Sequence, residues 1–243
     1  GAVAQLNLGN TIEMRSYNSF GELTNLSVQC DGTNVMRLSY TRDKLGRLID
    51  ATEVTPTGGR TNTYAYDPLG QVTQVTSGAA MDRYDYDANG NRTNAIIALT
   101  PPIAAAYDAQ DRLVTMTVGL ATNQFAYSLA GELTDVNAGP QSRTYQYDAL
   151  GRLRQAVLVS SGTTIVYKVD SADRRVAKLM NGNFRQGFLY RDDLRPIAEL
   201  DNPTNVMSVF IYGSRANVPD YMIRGGQVCR LIADQLGSVR LVI

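Results

Sequence analysis

A few residues in this 243-residue chain have types and spacings that chemistry can use. Asp220 and Asp234 lie in one C-terminal stretch and suggest a carboxylate pair. Acid-base work needs two carboxyls held close and driven to different pKa values, yet Asp234 sits in a turn phrase of its own, "ADQLGS". A backbone-bonding role in that turn is the better reading. Ser160, Ser161 and Ser214 are possible nucleophiles, but the chain has no histidine to activate them, which excludes a Ser-His-Asp triad. "NGNR" (89–92) and "NGNF" (181–184) carry glycines like those of a phosphate-cradling loop. Neither opens a helix or keeps the spacing of a nucleotide site, so both read as hairpin turns. Cys30 and Cys229 are the only cysteines, far apart and without metal-ligand spacing. No catalytic residue, metal or cofactor is expected.

Composition narrows the field further. Lys+Arg and Asp+Glu both number 23, so the chain lacks the basic footprint of a nucleic-acid binder. The missing histidine removes the commonest general base and metal ligand together. No apolar run approaches the ~18 residues that span a bilayer, and no signal peptide opens the chain, so membrane insertion is not expected. Gly1 in place of methionine reads as the start of a fragment or a processed product.

What the sequence does contain is a repeated phrase. "NTYAYDPLGQV" (62–72), "DRYDYDANGNR" (82–92) and "RTYQYDALGRL" (143–153) align on a Tyr-Asp step, with a further copy at Tyr107-Asp108. Weaker copies stand at Tyr17-Asn18, Arg42-Asp43, Tyr127-Ser128, Val169-Asp170 and Tyr190-Arg191. The spacing, roughly 20 to 25 residues, is that of a repeat architecture. Asp67-Pro68-Leu69-Gly70 has the residue preferences of a type I turn. Its last glycine, in the left-handed region, supplies the bulge that lets such a turn close a hairpin. Asp43–Gly46, Asp87–Gly90, Asp148–Gly151 and Asp234–Gly237 repeat the pattern, and Asp111 and Asp173 stand where the glycine would be. The aspartates therefore read as turn residues.

The flanks alternate as strands do. Tyr145 and Tyr147 share one face, and Leu153, Gln155, Val157 and Val159 share another. Opposite hairpin ends carry their own turn signals at Ser77-Gly78, Ser161-Gly162, Asn181-Gly182, Asn202-Pro203 and Gly225-Gly226. The expected fold is all-β: consecutive antiparallel hairpins in one long sheet, with residues 1–243 forming a single array of about ten repeats. Some 20 strands of ~8 residues, ~4.8 Å apart, give a ribbon ~95 Å long. Twist makes such a ribbon curl, and a single turn of it would be ~30 Å wide and hollow.

These phrases resemble the Rhs (rearrangement hotspot) or YD-repeat family. "YDPLGQV", "YDANGNR" and "YDALGRL" resemble its tyrosine-aspartate repeats, and "FIYGSRANVPDYMIRGGQVCRLIADQLGSVRLVI" (210–243) is similar to the start of the bacterial Rhs-associated core. The resemblance implies a segment of a spiralling, hollow β-shell like those of toxin-complex C components and teneurins. It implies as partners a C-terminal toxin cargo and the rest of the shell, and secretion or delivery outside the cell. Autoprotease residues of that family lie beyond any segment present here, so none is assigned. A second reading is a carbohydrate- or receptor-binding module, with Tyr66, Tyr86, Tyr145 and Tyr147 as an aromatic face for glycans. Cross-strand packing of those rings is the plainer explanation of their regular recurrence.

Overall fold

The structure, a computed structural model, describes residues 3–243. Among these are 23 strands and one 3-10 turn at Gly139–Gln141, and every strand pairing within a unit is antiparallel. The strands are of four to ten residues, more numerous and shorter than the sequence suggests, because five-residue turns consume one end of each hairpin. No helix among the described residues is long and apolar enough to cross a membrane.

The chain forms two compact units. The first runs to Pro102 and includes Arg230–Ile243. Its strands are β1 (Gln5–Leu8), β2 (Thr11–Tyr17), β3 (Leu23–Cys30), β4 (Thr33–Arg42), β5 (Leu48–Thr55), β6 (Gly58–Tyr66), β7 (Val72–Ser77), β8 (Ala80–Tyr86) and β9 (Arg92–Ile96), each paired with the next. The second unit, Ile103–Cys229, holds β10 (Ile103–Tyr107), β11 (Leu113–Val118), β12 (Ala121–Tyr127), β13 (Leu133–Asn137), β14 (Arg143–Tyr147) and β15 (Leu153–Leu158). It continues through β16 (Thr163–Val169), β17 (Arg175–Met180), β18 (Asn183–Tyr190), β19 (Pro196–Asn202), β20 (Asn205–Ile211) and β21 (Tyr221–Arg224) as an unbroken meander. Strand β22 (Gln227–Ala233) begins in the second unit and ends in the first, where it pairs with β23 (Val239–Val242). The stretch 210–243, which the sequence presents as one element, is thus shared between the units.

The two ends of each hairpin obey different turn chemistry. At the Asp end, Gly70 N donates to Asp67 O (3.1 Å) and Asp67 N donates to Gln71 O (3.0 Å), with Gly70 at φ +85°. The register slips by one residue at the tyrosine, between Ala65 and Tyr66. This is a type I turn with a glycine bulge. At the other end, Asn181-Gly182 and Asp31-Gly32 have paired positive φ values, the type I′ geometry of a two-residue loop.

Burial differs between the units. In the first, alternate residues of β3 and β4 point one way, and Leu26, Val28, Met36, Leu38 and Tyr40 form its core. The C-terminal hairpin covers them with Ile232, which is fully buried, and with Leu241 and Ile243. Beside this core lies a buried ion cluster. Glu13 accepts from Arg15 Nε (2.5 Å) and from Arg230 Nη2 (2.9 Å), and all three side chains are at most 7 % exposed. Arg230 and Ile243 also exchange backbone hydrogen bonds across the hairpin (2.6 and 3.0 Å). In the second unit the buried apolar side chains are the small Val136, Ala156 and Ala198, with Leu200.

The buried cluster sets up a contrast. Glu13→Leu leaves two guanidinium groups buried without their carboxylate and should cost about 3–5 kcal/mol. Glu53→Gln, which breaks the more exposed pair with Arg240, should cost no more than about 1 kcal/mol. Urea unfolding of both variants measures the difference, and equal midpoints would contradict it.

Candidate functional site

The candidate site is a joint, repeated where one hairpin meets the next. It begins with the turn aspartate. Asp43 Oδ1 accepts from the backbone N–H of Leu45 (2.9 Å) and Arg47 (3.0 Å), and its Oδ2 accepts from Arg47 Nε (2.7 Å). Asp148 does the same with Leu150, Arg152 and Arg152 Nε. Asp87 uses Asn91 in place of arginine, with Nδ2 3.0 Å from Oδ2. Asp67 accepts from Gln71 N (2.8 Å), and Asp234 from the N–H of Leu236 and Ser238. Each carboxylate therefore closes its own turn, and those of Asp43, Asp87 and Asp148 also aim the side chain four residues on.

That aimed side chain reaches the next hairpin. The Arg47 guanidinium lies over the Tyr66 ring at 4.7 Å, Arg112 over Tyr127 at 5.1 Å and Arg174 over Tyr190 at 5.4 Å. The tyrosine completes the link by donating its hydroxyl to the carbonyl just after the arginine. Tyr66 Oη donates to Leu48 O (2.7 Å), Tyr127 to Leu113 O (2.9 Å) and Tyr190 to Arg175 O (3.1 Å). Tyr86 reaches Val72 O (2.7 Å) and Tyr212 reaches Pro196 O (2.9 Å) in the same manner. Where Val169 replaces tyrosine, Arg152 Nη1 donates directly to Asp170 O (3.3 Å).

The electrostatics match the geometry. Hydrogen bonds from Arg112, Arg174 and Arg195 hold Asp108, Asp170 and Asp192 below the usual carboxylate range. At Asp43 and Asp148 burial opposes ionisation most strongly, but the bonds from Arg47 and Arg152 together outweigh it and the net direction is again downward. Asn91 lowers Asp87 in the same way. Burial pushes the phenols of Tyr66, Tyr127, Tyr147 and Tyr190 upward, so the hydroxyls of Tyr66, Tyr127 and Tyr190 stay protonated as donors.

The residues singled out in the sequence fall into place around this joint. Gly46, Gly70, Gly90, Gly151 and Gly237 all lie at φ between +75° and +89° beside their aspartates. Tyr66 and Tyr86 spend their hydroxyls on backbone carbonyls, and Tyr145 and Tyr147 are half-buried in β14. Asp220, in the second unit, is buried and accepts from Ser214 N (2.6 Å) and Ser214 Oγ (2.5 Å), which ties down its own loop. Among the described residues no group of three or more histidine, cysteine, aspartate or glutamate side chains could hold a metal ion. Sequence reasoning missed the reach of the joint. Its signal was present in the recurrence of Arg, Gln or Asn four residues after the aspartate.

Comparisons with known proteins agree with the repeat. Residues 3–243 match the teneurin YD-shell family. Mouse teneurin-4 is 24% identical over 208 residues, 82% of this chain but 7% of its own length. Mouse teneurin-3 is 26% identical over 194 residues, covering 78% of this chain and 6% of its own. A solved Tc holotoxin pore from Photorhabdus luminescens, carrying a TccC3 mutation, shares the fold over 96% of this chain and 16% of its own, with a TM-score of 0.51 at 13% identity. The chain thus spans a small part of each of these three proteins.

The depressed carboxylates give a pH dependence of known sign. A group whose folded pKa is lowered stabilises above its unfolded value, ~3.9 for aspartate, and loses that contribution as pH falls through the folded value. The urea midpoint should therefore hold from pH 7 to 5 and fall below pH 4. Replacing Asp43, Asp108 and Asp170 together by asparagine, which keeps the turn chemistry, should lower the midpoint at pH 7 and flatten its acid fall. An unchanged acid slope in that variant would contradict the assignment.

Proposed function

The chain belongs to the teneurin YD-shell family, and on that premise we propose that it is a length of wall. In this reading it is a scaffold segment of a β-shell that encloses a C-terminal toxin, catalyses nothing itself and works outside the cell that makes it. The cargo and the remaining wall are its partners. The observation that carries this reading is the Asp–Arg–Tyr joint. Arg47, Arg112 and Arg174, with Tyr66, Tyr127 and Tyr190, spend their polar groups on holding one hairpin to the next. Such a device extends a sheet by repetition, as a wall requires. A sugar- or receptor-binding aromatic face finds less support, since the Tyr66 and Tyr86 hydroxyls are already committed to the backbone.

Two measurements test the proposal. The purified 26.5 kDa chain, incubated for days at neutral pH, should keep a single intact mass. Self-cleavage would place catalysis within it. Electron microscopy of the full product of the parent gene should show a closed shell around internal density, and an open or solid particle would contradict the enclosing role.

A further inference from the structure

The two rims of the first unit's sheet are unlike. The five-residue turns that follow β2, β4, β6 and β8 lie along one rim, and the short loops that precede those strands lie along the other. On the first rim three successive turns present a large apolar side chain at their third position. These are Phe20, Leu45 and Leu69, which are 87 %, 77 % and 79 % exposed. The loops of the opposite rim hold no large apolar residue, and only Leu99, after β9, stands exposed there. The turn itself does not ask for leucine, since a type I turn accepts most residues and the fourth turn of the same rim uses Asn89.

The tips are built to leave water. A backbone N–H carried into hydrocarbon unpaired is costly, and here those beside the tips are satisfied within the turn. Asp43 Oδ1 accepts from Leu45 N and Arg47 N, and Gly46 N donates to Asp43 O. Asn18 Oδ1 accepts from Phe20 N and Glu22 N (3.0 Å each). Pro68, before Leu69, has no N–H to satisfy.

The charge at the tips has one sign. Of the central pairs Ser19-Phe20, Lys44-Leu45 and Pro68-Leu69, the charged residue is Lys44. Its exposed ammonium has no ion pair among the described residues, whereas Arg42 and Arg47 beside it face Glu22 and Asp43. A groove of about 490 Å³ runs between the first two tips, with Phe20, Lys44 and Leu45 in its lining. In the second unit Asp193 stands exposed beside Leu194, which an anionic surface repels, so the first unit alone has this character.

The spacing selects the occupant. Successive tips are two strands, about 10 Å, apart, and each is a single side chain with polar residues between. A folded partner buries a continuous apolar patch, whereas the fluid interface of a bilayer closes around separate tips. We propose that this rim is a membrane-docking edge, with Phe20, Leu45 and Leu69 inserted into the interface of a bilayer and Lys44 against the phosphate of an anionic lipid. The proposal does not rest on the wall role, since a chain that encloses nothing can still dock.

The chain has no tryptophan, so a single introduced one reports its own surroundings. The 243-residue Leu45→Trp and Leu99→Trp chains are mixed with phosphatidylcholine vesicles, with and without phosphatidylglycerol. Emission of the Leu45→Trp chain should shift to the blue on the mixed vesicles and be quenched by lipids brominated high on the acyl chain. Leu99→Trp, on the opposite rim, should do neither. In vesicle flotation, Leu45→Ser combined with Leu69→Ser should weaken partitioning at least about tenfold, two exposed changes that leave the fold intact. Lys44→Gln should weaken it about fivefold on the mixed vesicles, the effect of one lysine at an anionic surface, and leave any binding to pure phosphatidylcholine unchanged. Absence of flotation with the mixed vesicles, or equal quenching at the two rims, would overturn the docking edge. So would self-association in sedimentation that the serine variant abolishes while no vesicle is bound, since the tips would then seat on a second copy.

Discussion

The tyrosine hydroxyl that reaches back to a carbonyl of the preceding hairpin is the contact on which the array depends. A meander needs something besides ladder hydrogen bonds to fix how one hairpin follows another, because twist and register are otherwise free to drift. In the second unit the buried apolar side chains are few and mostly small, so burial supplies little of that constraint. The joint supplies it with groups already present in each turn. Asp108 closes its turn through two backbone N–H groups and orients Arg112, which covers Tyr127 as that ring donates to Leu113 O. Removing the aspartate would loosen the turn, release the arginine and uncover the tyrosine together.

The first unit adds a different solution. There the β3–β4 face is large and apolar, and the C-terminal hairpin closes over it with Ile232, Leu241 and Ile243. The buried Glu13 cluster ties that hairpin down, since Arg230 reaches Glu13 across the unit. Breaking a buried ion pair is costly even where its net contribution to stability is small. The first unit thus adds a covered core and a charge address to its joints, whereas the second relies on the joints with few buried apolar side chains. Both arrangements suit a wall segment, in which strength has to be distributed along the sheet.

What could be read from the sequence follows from how far each interaction reaches. Turn residues such as Asp67 and Gly70 were legible because a type I turn with a bulge is decided within five residues. Strand alternation was legible for the same reason. The joint was not, because Arg47 and Tyr66, or Arg112 and Tyr127, meet only once the neighbouring strands β5 and β6, or β11 and β12, have paired, and each residue alone looks like an ordinary surface cation or packed ring. Glu13 and Arg230 are 217 residues apart. Arg230, a lone charge between Val228 and Ile232, announces a buried partner without naming it, whereas Glu13 shares its strand face with Thr11, Arg15 and Tyr17 and gives no such sign.

The account rests on the joint being an energetic link and not merely a recurring contact. A double-mutant cycle between Arg112 and Tyr127, with Arg112→Ala and Tyr127→Leu measured singly and together by urea unfolding, tests that most directly. The joint predicts a coupling of about 1 kcal/mol, the two changes costing less together than the sum of each alone. Additivity to within about 0.3 kcal/mol would show that the arginine and the tyrosine act independently and that the hairpins are held together by something else.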